Sequence, residues 1–436
     1  MKHKLITLGF LSLLAGLAPV QAQESAPFRS PFPSALNVAH TWNRSLTKKA
    51  GLVVGKQLAA EGGREVALPD LTLVGPSSDT PLLNTYGESP YLTAETGVEM
   101  TKGLQTDGQL KAFIRIEEKE KKASYVRPWQ RVLDEAHAAG IATPAQIAAS
   151  NTDGKDLGPC SDEFRKTALQ VAHESLTLLK NAGSILPLDT AWVKCVGVTG
   201  DDGLVADMMP VLQQGLPCAV STDTRTADLI IVFEDDDIDS GRMGSLLLTG
   251  KPVVVVLLNS RPIALGKALD ASAILEAWHP GREGMQAIAD VLTGAYNPGG
   301  KLTVAFPDFA FGHGLSYTTF SYGEAKADKQ ELAYGDTLRV TIPVTNTGKR
   351  DGDEVVQVYL RRPGDSEGPL KALRGFRRVN IARGETREVV IELPYENFQW
   401  FDTQTNSMHP MEGAYEVLYG GSSEEAALKS LPVSIR

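Results

Sequence analysis

Residues 251–265 read KPVVVVLLNSRPIAL, and residues 273–307 read AILEAWHPGREGMQAIADVLTGAYNPGGKLTVAFP. Each stretch opens with a short, nearly continuous apolar run, and the second then takes on a helical pattern at residues 285–292. Short apolar strands separated by helices are typical of a parallel sheet that is covered on both faces. The pattern therefore predicts an open α/β domain over residues 164–323. Two further apolar runs of the same kind precede the quoted stretches, at residues 193–198 and 229–233.

The pattern changes from about residue 324 onward. Apolar and polar residues now alternate with period two, and turn sequences such as Asn346-Thr347-Gly348 separate the runs. Several short alternating strands at this spacing indicate an antiparallel β-sandwich, and about 110 residues suit a single immunoglobulin-like domain. Residues 324–436 are thus predicted to form a second, all-β domain. Its predicted strands are residues 338–344, 354–360, 386–393 and 414–419.

The chain begins with the pattern of an export signal. Lys2 and Lys4 precede an apolar run over residues 5–17, and Val20-Gln21-Ala22 provides a site for signal peptidase. The run is shorter than the ~20 apolar residues that span a bilayer, so we expect cleavage after Ala22 rather than a membrane anchor. The competing interpretation is a buried N-terminal helix. The pattern favours a periplasmic or extracellular protein.

Composition excludes several classes of partner. The net charge of -10 argues against nucleic-acid binding through a basic surface. Histidines are few and scattered, so neither a metal site nor a cofactor is predicted. The three cysteines (Cys160, Cys195 and Cys218) do not have metal-ligand spacing and are expected to be small buried apolar residues, although an exported chain could form a disulfide.

Residues 23–163 carry weaker signals. The pattern predicts helices over residues 41–61 and 93–104 and a short strand over residues 71–74. The run EEKEKK at 117–122 indicates a solvated helix face, and residues 151–156 resemble a loop.

Five motifs, taken in order, resemble a known family. Besides the two opening stretches they are HESLTLLKNAGSILPL at 173–188, FGHGLSYTTFSY at 311–322 and PLKALRGF at 369–376. Together they closely resemble the C-terminal part of glycoside hydrolase family 3, the β-glucosidase and β-xylosidase type. The resemblance implies that the α/β domain is followed by a fibronectin type III-like β-sandwich.

The front of the chain is similar to the same family only in pieces. FPSALNVAHTWN at 32–43, YGESPYL at 86–92 and GLQ at 103–105 each match a segment of the family's N-terminal barrel. Residues 23–163 number about 140, whereas a full (β/α)₈ barrel takes ~200–250 residues. The resemblance therefore implies a truncated remnant of that barrel.

The resemblance also implies a retaining mechanism, which uses two carboxyl groups ~5–5.5 Å apart. The family's nucleophile is an Asp in an SDW-like motif, and a KHF-like motif binds sugar hydroxyls; the sequence contains neither motif. The family's RDPRxGR stretch corresponds to SSDTPLLNT at 77–85, in which Asp79 is the candidate relic. The family's GED corresponds to Gly87-Glu88-Ser89, which makes Glu88 a second candidate for substrate binding.

Two more candidates lie in the α/β domain. Glu234 has the best position for the family's acid/base, and Asp239 with Arg242 echoes its DR pair. A solvated acidic loop is the competing interpretation of residues 234–239. Trp278 could stack on a sugar, but a tryptophan at a strand end is more often part of the core.

The lost motifs would all meet in one active site, which leads to an expectation of impaired or absent hydrolysis by a protein of exo-β-glycosidase lineage. The alternative is a non-catalytic carbohydrate- or partner-binding protein of the cell envelope, as a homo-oligomer or together with a full-length family member. A decayed copy without function is the third hypothesis. If the protein is active, Glu88, Asp107 and Asp79 are the candidates for a new nucleophile.

Overall fold

The computed structural model describes residues 27–75, 81–115, 160–365, 369–402, 405 and 407–436. The predicted signal peptide, Asp79, the charged run at 117–122 and the predicted loop at 151–156 lie outside these residues. In the described part of the chain, no helix combines the length and the apolar character that crossing a membrane requires.

The described residues of the N-terminal part form three capped helices and two strands. A polar side chain begins each helix by accepting a backbone N–H three residues on: Ser34 from Asn37, Asn43 from Leu46, and Ser89 from Leu92. The single helix predicted over residues 41–61 is wrong at its start, because Trp42 takes a positive φ of 48° and Asn43 caps a new helix. The elements are α1 (Ala35–His40), α2 (Arg44–Ala60), β1 (Glu65–Asp70), α3 (Pro90–Leu104) and β2 (Lys111–Arg115).

Helices α2 and α3 approach closely because glycines face each other. A Cβ atom on Gly51 would collide with the carbonyl oxygen of Met100, and one on Gly103 would collide with that of Lys48. Strands β1 and β2 pair in parallel, with Val66 opposite Ala112. The strand predicted over residues 71–74 is therefore wrong: the pairing lies earlier, where Val66 and Leu68 alternate into the core.

The α/β domain is built on a six-stranded sheet in the order β3-β8-β7-β6-β4-β5. All neighbours are parallel except β3 and β8, and apolar side chains bury both faces, so the predicted covered sheet is confirmed. Its strands are β3 (Thr177–Asn181), β4 (Cys195–Gly200), β5 (Ala219–Ser221), β6 (Leu229–Glu234), β7 (Val253–Leu257) and β8 (Ala273–Glu276). Its helices are α4 (Asp162–Ser175), α5 (Asp202–Gly215), α6 (Ser240–Leu247) and α7 (Gly284–Thr293).

The apolar pattern of residues 164–180 predicts one amphipathic helix, but in the structure α4 ends at Ser175 and the antiparallel edge strand β3 follows. Leu178 joins the apolar cluster on one face of the sheet and Leu179 joins the cluster on the other. Two adjacent residues can bury on opposite faces in a strand, whose side chains alternate, but not in a helix. Pairing with β8 therefore ends the helix at Ser175.

The C-terminal part is a β-sandwich, and the four predicted strands lie within β12, β13, β15 and β18. Two main sheets, ordered β10-β12-β15 and β11-β19-β18-β13-β14, enclose one apolar core. Strand β9 pairs with β12, and β16 pairs with β17. The strands are β9 (Phe320–Tyr322), β10 (Lys326–Ala327), β11 (Glu331–Leu332), β12 (Thr337–Asn346), β13 (Gly352–Arg361), β14 (Ala372–Ile381), β15 (Thr386–Pro394), β16 (Gln399–Asp402), β17 (Ser407–Pro410), β18 (Gly413–Gly420) and β19 (Lys429–Ile435).

Arg378 of β14 joins the three parts of the chain. Its side chain is only 6% exposed, and Nε donates to Oδ2 of Asp353 at 3.0 Å. Nη1 donates to the carbonyl oxygens of Thr41 in the N-terminal part and Gly299 in the α/β domain, at 2.9 and 3.1 Å. The carboxylate of Glu174 lies 3.5 Å from Nε. One buried guanidinium thus contacts all three parts.

Candidate functional site at the carboxyl edge of the sheet

The parallel strands end together at one edge of the α/β sheet. β6 ends at Glu234, β7 leads into Asn259 and Ser260, and β8 leads into Trp278. Open α/β sheets bind their ligands outside the carboxyl ends of the strands. This edge therefore holds the candidate site, and it includes two of the residues predicted from sequence.

Glu234 is buried and ion-paired. Its side chain is 1% exposed, and its two carboxyl oxygens accept from Arg242, with Oε2 2.7 Å from Nη2 and Oε1 3.2 Å from Nε. Burial raises the pKa of Glu234, and the neighbouring Arg242 opposes that shift. The alternative of a solvated loop does not fit Glu234 itself, while its role as acid/base stays a prediction.

The acidic residues that follow Glu234 organise the backbone. Asp239 caps α6 by accepting from the N–H groups of Gly241 and Arg242, each at 2.9 Å. Asp236 accepts from Ser260, through N–H at 2.8 Å and through the hydroxyl at 2.6 Å. Both carboxylates are engaged in holding loops at the strand ends.

Trp278 is fully enclosed, at 0% exposure. It has a positive φ of 53°, and its indole N–H donates to Nε2 of His40 at 2.9 Å. Its backbone N–H donates to Oε1 of Glu276 at 2.7 Å. The prediction that Trp278 stacks on a sugar does not fit this position, because both ring faces are inside the protein. Phe306 packs beside the ring, with a centroid distance of 5.5 Å.

Glu276 is a buried carboxyl group with one oxygen unpaired. Oε1 accepts from Trp278, whereas Oε2 has no partner among the described residues, and nor does the equally buried Oδ1 of Asn259. Burial raises the pKa of Glu276 well above its usual value, and the charge of Asp236 adds to that shift. Burial therefore favours the neutral, protonated form of the Glu276 carboxyl.

Two histidines accompany these carboxyls, the buried His40 and the half-buried His279. Nδ1 of His40 lies 2.7 Å from the carbonyl oxygen of Leu36 and donates to it, so that Nε2 accepts from Trp278. Burial lowers the pKa of His40 to about 3 and that of His279 to about 4, with Asp236 opposing the second shift. Both rings are neutral at physiological pH.

The N-terminal part of the chain covers this edge. The N–H of Ser34 donates to the carbonyl oxygen of His279 at 3.0 Å, and that of Leu82 donates to Ser260 at 2.8 Å. Gly281 has a φ of +72°, and a Cβ atom there would lie 2.7 Å from the carbonyl carbon of Phe32. Residues 27–42 and 81–88 thus lie where a ligand of an open α/β sheet would approach.

Glu88 lies beside the segment that follows α7. Its N–H donates to the carbonyl oxygen of Thr303 at 3.0 Å, and its Oε2 accepts from the N–H of Ala305 at 3.2 Å. Burial raises the pKa of Glu88 to about 7. Asp107 is exposed in the turn between α3 and β2. Neither carboxyl is brought to Glu234 by a described contact.

Stability is expected to depend on pH through Glu88. Between pH ~4.5 and ~7 the folded protein keeps a proton that the unfolded chain has lost, so the free energy of unfolding falls as pH rises across that window. After allowance for partial solvent screening, the fall is about 1–2 kcal/mol. In Glu88→Gln, urea titrations at pH 5 and pH 7.5 should show a smaller difference in the free energy of unfolding. The exposed Glu388→Gln serves as control, and an unchanged slope in Glu88→Gln would contradict the assignment.

The arrangement brings the carboxyls of Asp236 and Glu276 into electrostatic contact, and likewise those of Glu234 and Asp239. Acid/base chemistry on glycosides needs one neutral and one charged carboxyl, and burial favours the neutral form of Glu276. Glu276 is, however, fully buried, and the carboxylate of Asp236 accepts hydrogen bonds from Ser260. Among the described residues, no three His, Cys, Asp or Glu side chains are grouped as metal ligands would be.

Sequence reasoning missed His40, Asp236, Glu276 and His279. Glu276 and His279 flank Trp278 in the quoted stretch AILEAWHPG, so their position at a strand end was available as a signal. The role of His40 was not, because its contact with Trp278 spans 238 positions in the chain.

Family models match two parts of the chain. Residues 240–347 match the glycosyl hydrolase family 3 C-terminal domain, and residues 354–423 match the fibronectin type III-like domain. The expected succession of these two domains is confirmed.

Curated relatives extend the match. A xylan 1,4-beta-xylosidase of Xylanibacter ruminicola is 42% identical over 44% of this chain and 25% of its own length. A beta-xylosidase of Formosa agariphila is 29% identical over 70% of this chain and 54% of its own. A periplasmic beta-glucosidase of Salmonella typhimurium is 35% identical over 57% of this chain and 42% of its own length. The chain thus spans about half or less of the length of these relatives.

Solved structures share the fold. A D270A mutant of a beta-glucosidase from Listeria innocua, in complex with laminaribiose, superposes with a TM-score of 0.79 at 18% identity, covering 94% of this chain and 86% of that one. DesR, a beta-glucosidase from Streptomyces venezuelae, superposes with a TM-score of 0.76 at 16% identity. The match covers 93% of this chain and 92% of that one. At such identities the likeness concerns the fold alone.

Proposed function

Because residues 240–347 and 354–423 place this chain in glycoside hydrolase family 3, we propose that it is a member of β-glucosidase or β-xylosidase lineage whose own hydrolysis is impaired or lost. The observation that carries the proposal is the covered carboxyl edge of the sheet. Backbone hydrogen bonds from Ser34 and Leu82 hold the chain's own N-terminal part on that edge.

The carboxyls at the edge support the same conclusion. A general acid must present a proton to the leaving oxygen, but Glu234 points both its oxygens at Arg242. Burial favours the protonated form of Glu276, but that carboxyl is fully enclosed in the protein. With no SDW-like motif in the sequence, the nucleophile of the family also has no counterpart. Loss of a nucleophile typically lowers kcat by several orders of magnitude.

The test is turnover of p-nitrophenyl β-glucoside and β-xyloside by the full chain. We expect rates at least ~10⁴-fold below the ~10 s⁻¹ typical of enzymes. Glu234→Gln and Glu88→Gln should leave that background unchanged, as should the control Glu388→Gln. Turnover near 1–10 s⁻¹ that either of the first two substitutions abolishes, and the control does not, would overturn the proposal.

We also propose that the chain is exported. The charged start, the apolar run and the Val20-Gln21-Ala22 site support this, as does the periplasmic name of the Salmonella relative. The mature protein purified from a bacterial periplasm should begin at Gln23, which intact-mass measurement detects. A chain recovered from the cytoplasm with Met1 in place would contradict it.

A further inference from the structure

An exposed aromatic pair stands on the sandwich domain, distant in sequence from the covered edge. Tyr334 lies in the turn between β11 and β12 and is 87% exposed. Tyr395, directly after β15, lies beside it with a ring-centroid distance of 5.8 Å and an interplanar angle of 75°. Tyr395 also packs on the sandwich core, so it supports Tyr334 from one side. The pair forms a corner with one ring open to solvent.

The turn that carries Tyr334 is held at several points. The N–H of Asp336 donates to the carbonyl oxygen of Ala333 at 3.0 Å, and its carboxylate accepts from the N–H of Ala333 at 2.9 Å and from Nζ of Lys329 at 2.8 Å. The carbonyl oxygen of Asp336 accepts from the N–H of Tyr395 at 2.8 Å. The last bond ties the two tyrosine segments together. Little backbone freedom is left to lose when a ligand binds.

The chemistry of this corner fits a sugar ring. A pyranose has apolar C–H faces with hydroxyls around the rim, and an aromatic ring buries such a face. Lys329 keeps donors beyond the one given to Asp336, and the exposed Glu396 offers a carboxylate next to Tyr395. The surface of two aromatic rings is far smaller than the ~1,000 Å² of buried area that a stable protein interface needs. The size and the polar surroundings favour a saccharide over a protein.

We propose that Tyr334 and Tyr395 form a binding site for a pyranose unit of a β-linked glucan or xylan chain, with Tyr334 as the stacking ring. The site itself follows from the geometry of the sandwich. The choice of β-linked glucose or xylose polymers rests on the proposed function.

Affinity electrophoresis of the full chain in native gels tests this, with soluble xylan and mixed-linkage β-glucan as probes. We expect at least one polymer to retard the protein. Tyr334→Ala should weaken the retardation at least tenfold in apparent affinity, whereas Tyr334→Phe, which keeps the ring, should stay within threefold. The matched control is Trp192→Ala, which removes another exposed aromatic, 42% exposed, from the α/β domain.

Absence of retardation by both polymers would overturn the inference, and so would equal retardation of the protein and Tyr334→Ala. Loss of retardation in Trp192→Ala alone would also overturn it, because binding would then lie on the α/β domain. An unchanged urea transition should show that Tyr334→Ala is folded. The turnover assay is independent of this outcome, so failure of the sugar site and failure of the proposed function are distinguishable.

Discussion

Replacing Arg378 with methionine is expected to lower the free energy of unfolding by about 3–5 kcal/mol, the range for breaking a buried ion pair by removal of one partner. The guanidinium is fully enclosed between Glu174 and Asp353, and their charges raise its pKa against the effect of burial. Methionine fills much of the volume but leaves two carboxylates near each other without a cation. The carbonyl oxygens of Thr41 and Gly299 also lose their donor.

The same substitution should weaken the coupling of the three parts of the chain, because Arg378 contacts each of them. We therefore expect the urea transition, followed by tryptophan fluorescence, to move to lower urea and to broaden or split. Arg377→Met is the matched control, since the neighbouring Arg377 is exposed on the same strand. An Arg378→Met protein with the midpoint of the control would show that the cluster contributes no net stability.

The second large effect is expected at Glu276, where the replacement decides the outcome. Glu276→Ala should cost about 2–4 kcal/mol, because it opens a cavity and leaves the N–H of Trp278 without an acceptor. Glu276→Gln should cost less than about 1 kcal/mol, because glutamine has nearly the shape of a protonated glutamate and its carbonyl oxygen can accept from Trp278.

The comparison of these two variants measures the protonation state of Glu276. Its raised pKa means that the folded protein holds a proton there while the unfolded chain loses it at ordinary carboxyl pH, so this contribution to stability falls as pH rises. Urea titrations of both variants at pH 5 and pH 8 should show a weaker pH dependence in Glu276→Gln than in the parent. Equal destabilisation by Gln and Ala would mean that the buried carboxyl is ionised.

Local patterns predicted the two domains that form the core of this molecule. The apolar runs of β6 and β7 are buried on both faces, so composition alone reveals them as strands of a covered parallel sheet. Strands β12 and β13 are predicted in a similar way, from the alternation of apolar and polar residues along them. Strand β14 was not predicted, because Arg374, Arg377 and Arg378 interrupt its apolar positions. The burial of Arg378 depends on partners from distant parts of the chain.

The site was less predictable than the fold for the same reason. Glu234 and Trp278 were placed correctly at strand ends, but their partners decide what they can do. Whether the carboxyl of Glu234 is free to act on a ligand depends on Arg242, eight positions later. Whether the ring of Trp278 is open to a ligand depends on His40, 238 positions earlier. Spacing within a motif carries no information on a segment that folds over it from elsewhere.

The covering of the sheet edge also orders events during synthesis. Asn37 donates to the carbonyl oxygen of Ala277, 240 positions later, and His40 accepts from the N–H of Thr303. Asn37 and His40 therefore cannot make these contacts until 303 of the 436 residues, about 70% of the polypeptide, have been made. Contacts of such long range form late and slowly. The leading segment therefore remains without these native contacts for most of the time that the chain is being made.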